Sequence, residues 1–224
     1  AEPRPRRVAC VCVAVREACL AVGCRLCFDV IVETYNTDAD ESKPKYLTAA
    51  QKKEVYANAS GWVVEAGSTM TGNGRTGADP EVLVAMSSLQ TNLGAADITE
   101  IEWITTAADK SAGFTLSARV RFNEEVDVTG TPQLSVTNGN QGAGSGRGPH
   151  VLSYASGTGS NELVFSLVIA AANAATNADD VLSIGTNPLA LNSGTIKDKG
   201  TNTASTITSA AGIGTAAGTL TVVA

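Results

Sequence analysis

Residues 114–122 read FTLSARVRF, an unbroken alternation of apolar and polar positions. Phe114, Leu116, Ala118, Val120 and Phe122 fall on one side of an extended chain, and Thr115, Ser117, Arg119 and Arg121 on the other. Successive side chains of a β-strand point to opposite faces of its sheet. The run therefore specifies a half-buried strand, because a helix would scatter its apolar residues around the axis. The rest of the C-terminal half repeats the theme in shorter pieces. PQLSVTNG, HVLSYAS and ELVFSLVI (162–169) predict three more strands, VLSIGT and LALNSG two brief ones, and GTLTVVA a last one. Turn residues separate them at Thr129-Gly130-Thr131-Pro132 and at Gly157-Thr158-Gly159. Several short strands at spacings of about ten residues predict a sandwich.

Upstream the pattern is less regular. Thr48 reads as the N-cap of a short helix over AAQKKEVYANAS, ending near Ser60-Gly61. WVVEAG follows as a strand by its β-branched and aromatic content. Residues 81–93 (EVLVAMSSLQTNL) fit either a strand or a short helix, and residues 98–107 (ITEIEWITTA) read as a strand leading into the C-terminal half. Residues 29–34 (DVIVET) alternate weakly as a further strand, and Asn36 to Pro44 is a polar loop. The loop from Ser68 to Pro80 contains Gly72, Gly74 and Gly77, but no Gly-Lys-Ser/Thr opens a helix there, so a phosphate loop is excluded. The chain divides into an Arg- and Cys-rich arm (1–28), an irregular N-terminal region (29–107) suited to anchoring or assembly, and a C-terminal domain (108–224).

Three phrases in order, RVRFNEEVDVTGTPQLSV, YASGTGSNELVFSLVI and LALNSGTIKD, resemble the immunoglobulin-like repeats of bacterial surface proteins and of tailed-phage virion proteins. The resemblance covers about residues 112–205. It departs from the family pattern in the Gly-rich insertion at 138–149 and in KDKGTNTAS, where a D-x-x-G-N-x-A close is usual. The fold class this implies is mainly β: a C-terminal Ig-like β-sandwich with a smaller, irregular α+β region before it. It also implies a domain used for display or assembly, with no chemistry of its own. The whole chain resembles a phage capsid decoration protein.

Charge and composition agree with that expectation. Residues 1–27 carry +3 and the remainder −9, and an acidic body repels nucleic acid, whose binding requires cations against phosphates. Aromatics are 4% and charged residues 17%, a mixture that suits strands and turns better than a helical enzyme. All five cysteines (Cys10, Cys12, Cys19, Cys24, Cys27) lie in the arm; the count is odd, and Cys24 and Cys27 form a lone C-x2-C without the second pair a zinc site needs. The arm's apolar run is interrupted by Arg16 and Glu17, too broken to span a bilayer. It reads either as a genuine arm packed on a neighbouring subunit or as upstream sequence foreign to a domain beginning near Asp29.

Candidate chemical groups are few. His150 is the sole histidine and reads as a surface or hydrogen-bonded residue at a strand end, since nothing near it in sequence supplies a nucleophile. Glu124 and Glu125 are adjacent in a strand and must face opposite ways, Asp127 shares the face of Glu125, and Asp179-Asp180 lies in a loop. These read as solvated carboxylates, with loop calcium as the lesser alternative. Trp62 and Trp103 read as core residues within apolar strands. No catalytic, cofactor-binding or metal-binding residue is assigned, and no cofactor is expected. The expected function is that of a non-enzymatic virion protein: a capsid decoration or cement protein on the capsid surface, homo-oligomeric, partnered by the major capsid protein or another virion protein, with neither nucleic acid nor membrane as partner. A tail-tube protein with an Ig-like domain and a bacterial adhesin or filament subunit are the alternatives.

Overall fold

In the computed structural model the described residues are 43–44, 46–71, 74–139, 149–171 and 176–224. The expectations for the arm, its cysteines and the 29–34 strand, for Gly72, and for most of the 138–149 insertion lie outside them. The described residues belong to one compact unit, Tyr35–Ala224.

Helix α1 (Ala49–Lys53) starts where the sequence places it. The Thr48 hydroxyl accepts from the Gln51 backbone N–H at 3.2 Å, and the Gln51 side-chain oxygen accepts from the Thr48 N–H at 3.0 Å, a capping box. The helix then stops at Lys53, well short of Ser60. Residues Val55–Asn58 form strand β1 and Gly61–Val64 strand β2, paired from Val55↔Val64 to Asn58↔Gly61. The correction has a local cause. Val55 and Tyr56 favour a pleated surface, and the Asn58 carboxamide accepts from Ser60 N–H at 2.8 Å to form the turn.

Strand β3 (Glu81–Ala85) pairs with β2, and a 3-10 turn (Leu89–Thr91) follows, so the ambiguous 81–93 segment contains both kinds of element. Next come β4 (Ile98–Trp103), β5 (Ala108–Asp109) and β6 (Phe114–Thr129). Then follow β7 (Gln133–Gly139), β8 (His150–Ser156), β9 (Ser160–Ile169), β10 (Val181–Ser183), β11 (Leu189–Ala190) and β12 (Thr195–Asp198). Helix α2 (Ile213–Ala216) and β13 (Thr219–Val223) end the chain. The protein is mainly β, and its strands join in one large mixed sheet along the path β3-β2-β1-β6-β9-β8-β7-β10-β13-β5.

Strand β6 organises the whole. It runs 16 residues, well beyond the alternating stretch at 114–122. It pairs antiparallel with β9 from Phe114↔Ile169 to Arg121↔Glu162 and again at Val126↔Ser160. In the irregular gap between, Glu124 takes Ala57 of β1 as a parallel partner. Along its other edge β6 pairs with β4 (Ile98↔Phe122 to Trp103↔Ala118) and then with β12 (Asp198↔Val126 to Thr195↔Thr129).

The alternation predicts the core correctly. Leu116, Ala118, Val120, Phe122, Leu163 and Phe165 are buried in one cluster, with Phe114 and Leu167 packed at its margin. Leu134, Val136, Leu182 and Val222 from β7, β10 and β13 join the same cluster, as do Ile98 and Ile101 of β4. A second, smaller cluster gathers Val55, Ala57, Trp62, Val64, Leu89 and Leu93. Trp62 is thus core, and Trp103 is half-buried against the main cluster with its indole N–H donating to the Gly218 carbonyl at 3.3 Å.

Candidate functional site

The alternation that buries Leu116 to Phe122 drives Arg119 and Arg121 to the opposite face of β6, where strands β4 and β9 present glutamates. Arg121 reaches Glu162 at 2.7 Å, Glu100 at 2.7 Å, Glu65 at 2.8 Å and Glu102 at 3.2 Å. Arg119 pairs with Glu102 and, at 3.2 Å, with Glu162. Lys53 of α1 closes the group on Glu100 at 2.7 Å. Four glutamates thus face three cations. Burial, helped by a hydrogen bond to Glu162, pushes the Glu65 carboxyl up to about 8, although Arg121 and Arg119 pull the other way. A protonated Glu65 leaves the cluster electrically balanced. Burial also acts against ionised Glu162 and Glu100, but hydrogen bonds from Arg121 to both, and from Lys53 to Glu100, hold the two carboxyls below their ordinary range. The cluster ties α1, β2, β4, β6 and β9 together. Its carboxylates are neutralised by arginine, which suits them to holding elements in register and poorly to proton transfer.

On the core face of the same strand lies a different arrangement. Glu124 is 1% exposed, and so is Asp198. Glu125, one residue on, points away and pairs with Lys199 at 3.1 Å, as the strand geometry requires. Glu124 is therefore a buried acid, contrary to the expectation of a solvated carboxylate. Burial, together with the neighbouring Asp198 carboxyl, pushes its carboxyl up to about 9. Asp127 is exposed, and Asp179 is exposed in a left-handed conformation (φ 67°), whereas Asp180 is buried and accepts from the Asn177 N–H at 2.8 Å.

His150 is 5% exposed, so the surface reading is corrected while the hydrogen-bonded one stands. Its Nε2 lies 3.1 Å from the Thr176 hydroxyl, and burial lowers its basicity, partly offset by the charge of Asp180. Thr176 and Asp180 have no solvent exposure. A hydroxyl, an imidazole and a carboxylate in such company resemble the parts of a nucleophilic relay, here with all three residues buried.

A cavity of about 560 Å³ opens between α1, the start of β4 and α2. Lys43, Lys52, Lys53, Asp97 and Asn123 supply its polar wall, and Leu47, Ile98 and Ile213 its apolar one. The Asn123 side-chain oxygen accepts from the Asp97 N–H at 2.7 Å, and Lys43 donates to the Lys52 carbonyl at 2.6 Å. Its walls are thus held by internal hydrogen bonds, and among the described residues neither histidine nor cysteine lines it. Among the described residues no three His, Cys, Asp or Glu side chains cluster closely enough to hold a metal ion, and no helix is long and apolar enough to cross a membrane.

Neither sequence motif reasoning nor composition flagged the Glu124–Asp198 meeting, since the two acids are 74 positions apart. The signal was nevertheless in the phrases FNEEV and TIKD, which the strand pairing of β6 with β12 brings side by side. Comparison with protein-family models, with curated proteins and with solved structures finds no match to this chain.

Proposed function

We propose that this chain is a non-enzymatic structural protein of a tailed-phage virion, a capsid decoration protein that displays an Ig-like sandwich and docks through its N-terminal region. The observation that carries the reading is strand β3. All five of its residues are exposed, including Val82 at 51%, Leu83 at 39% and Val84 at 39%, and it ends the strand path with one edge unpaired among the described residues. An apolar open edge is a template for pairing with another chain, and soluble proteins blunt such edges unless they use them. The resemblance of residues 112–205 to Ig-like repeats supports the display domain, and the shared core of β6, β7, β9, β10 and β13 is compatible with two packed layers. The solvent-closed His150–Thr176–Asp180 group and the arginine-neutralised glutamates favour scaffold over catalyst. The partner on this reading is the major capsid protein or another virion protein, with copies of the chain itself around it.

Immunogold electron microscopy of particles from the source material, with antibody raised to the purified chain, tests the proposal. Label spread over an icosahedral shell is the expected result. Label along a tail tube, or on bacterial surface filaments, replaces it with one of the two alternatives.

A further inference from the structure

The Glu124–Asp198 pair lies where no charged group should be left. Pairing of β12 with β6 puts Asp198 opposite Val126, and Glu124 is two residues along on the same, core-facing side. Both acids are 1% exposed. One oxygen of Asp198 is used: Oδ1 accepts from Thr201 N–H at 2.6 Å and from the Thr201 hydroxyl at 3.1 Å. That turn fixes the carboxylate through its Oδ1. Apart from the hydrogen bond between the two carboxyls, Asp198 Oδ2 and both oxygens of Glu124 meet no donor.

Two neutral oxygens from separate segments share the neighbourhood and the same lack. Ser205 is 8% exposed, and its Oγ has no partner. Its backbone N–H donates to Ile196 at 3.0 Å, which places the residue across from Ile196 on the face that Asp198 also occupies. Gln90 packs against the turn after Asp198. A Cβ added to Gly200 would fall 2.3 Å from the Gln90 carbonyl oxygen and 2.8 Å from its Cγ. The buried Gln90 Oε1 also has no donor. The charge of Asp97 adds to the negative potential at Glu124. Buried polar atoms without partners are rare, because each one forfeits the hydrogen bonds it made with water. Four side chains on adjoining segments thus carry buried oxygens that no donor outside the acid pair satisfies, a setting that favours a cation.

We propose that Glu124 and Asp198 bind a divalent cation, Ca²⁺ by the all-oxygen character of the site, with Ser205 Oγ and Gln90 Oε1 completing the protein's share of the ligands. Calcium accepts six to eight oxygens in flexible geometry, so two carboxylates, a hydroxyl and an amide oxygen leave room for water and backbone carbonyls. Entry is through the turn 199–203, whose Asn202 and Thr203 are exposed. Without the ion, burial keeps the proton on the Glu124 carboxyl. Binding therefore releases one proton for each Ca²⁺: the Glu124 O–H bond breaks, its oxygen takes the metal, and the proton leaves to solvent. The ion would clamp β6 to β12 and to the 3-10 turn that carries Gln90. The inference does not depend on the virion assignment and survives its failure.

The test is calorimetric titration of CaCl2 into the full chain after chelator treatment, at pH 6 to 8 and in two buffers of different ionisation enthalpy, with thermal melts alongside. One Ca²⁺ per chain is expected, bound more tightly than Mg²⁺, with one proton released and affinity rising about tenfold per pH unit. Glu124→Gln and Asp198→Asn each abolish binding, and Ser205→Ala weakens it. Glu124→Gln matches the neutral, protonated acid in shape and should fold, so its loss of binding is interpretable. Absence of heat and of any melting shift at millimolar Ca²⁺ overturns the proposal. So does a Ca²⁺ effect that persists in both carboxylate variants. A wild-type chain indifferent to Ca²⁺ whose melting point falls as pH rises toward 9, with a shallower fall in Glu124→Gln, also overturns it and leaves a proton on Glu124 as the whole content of the site.

Discussion

Arg121 holds four glutamates, and its burial makes the arrangement unforgiving. Its side chain is 10% exposed. Removing it leaves Glu65, Glu100, Glu102 and Glu162 crowded without their main counter-charge. Breaking a buried pair from one side costs about 3–5 kcal/mol, so Arg121→Met should lower stability by that order in urea melts. A loss below about 1 kcal/mol, the scale of exposed ion pairs, would mean the cluster is effectively solvated. The pH dependence has a defined sign. Glu65 holds its proton in the folded chain up to about 8, whereas an unfolded glutamate loses it near 4.5. Its contribution is complete below that lower value and disappears as pH rises toward 8, because the unfolded chain releases a proton that the folded one must keep. Glu100 and Glu162 act oppositely: their contribution is present above the ordinary carboxylate range and lost as pH falls through their lowered values. Thermal melts from pH 5 to 9 should therefore show a decline on the alkaline side that Glu65→Gln flattens. An unchanged decline in that variant would remove Glu65 from the account. On the other face, Phe165→Ala should cost about 3–5 kcal/mol, since the ring is fully buried and edge-on to Tyr154 at 6.1 Å.

At the scale of elements, the period-two signal was legible wherever one face of a strand is buried and the other is not. FTLSARVRF and ELVFSLVI announced β6 and β9 and their core residues for that reason. It failed at Val55–Asn58, where three of the four residues are buried and no alternation survives to distinguish strand from helix. It also stopped short at Phe122. The next residues of β6 are buried on both faces, Asn123 and Glu124 included, so the strand continues through sequence that looks like a polar loop. Strand β3 presents the reverse case, apolar yet exposed throughout. Its attachment rests on Gly61, whose φ of 132° suits glycine and where a Cβ would lie 2.0 Å from the Val84 carbonyl oxygen. Gly61→Ala should therefore detach β3 from β2 while leaving the main core intact. If β3 is a docking edge, Leu83→Lys should abolish self-association or capsid binding without lowering the melting temperature, as sedimentation and melting would report together. A variant that associates like the parent chain would show that contacts are made elsewhere.

At the scale of the whole molecule, the question is where the C-terminal half begins. The sequence places the boundary at residue 108, just ahead of the alternation that begins at Phe114. Packing draws the line elsewhere. Ala96, Ile98 and Ile101 belong to the cluster built on β6 and β9, while Leu89 and Leu93 belong to the one built on β1 and β2. Between them lies Gly94. A fragment of residues 108–224 would lack β4, leaving the Ala118–Phe122 edge of β6 unpaired and the places of Ile98 and Ile101 empty. Two buried isoleucines are worth about 2–5 kcal/mol each when truncated, a large share of the stability of any small domain. Residues 94–224 would keep both, while losing the parallel bridge at Ala57↔Glu124, the ion pairs to Lys53 and Glu65, and the packing of Gln90 on Gly200. The longer fragment should melt cooperatively and as a monomer, and the shorter one should melt at lower temperature, associate through its exposed strand edge, or fail to fold. Equal melting temperatures for the two fragments, each monomeric by sedimentation, would show that β4 contributes nothing to the core it lies against and would return the boundary to residue 108.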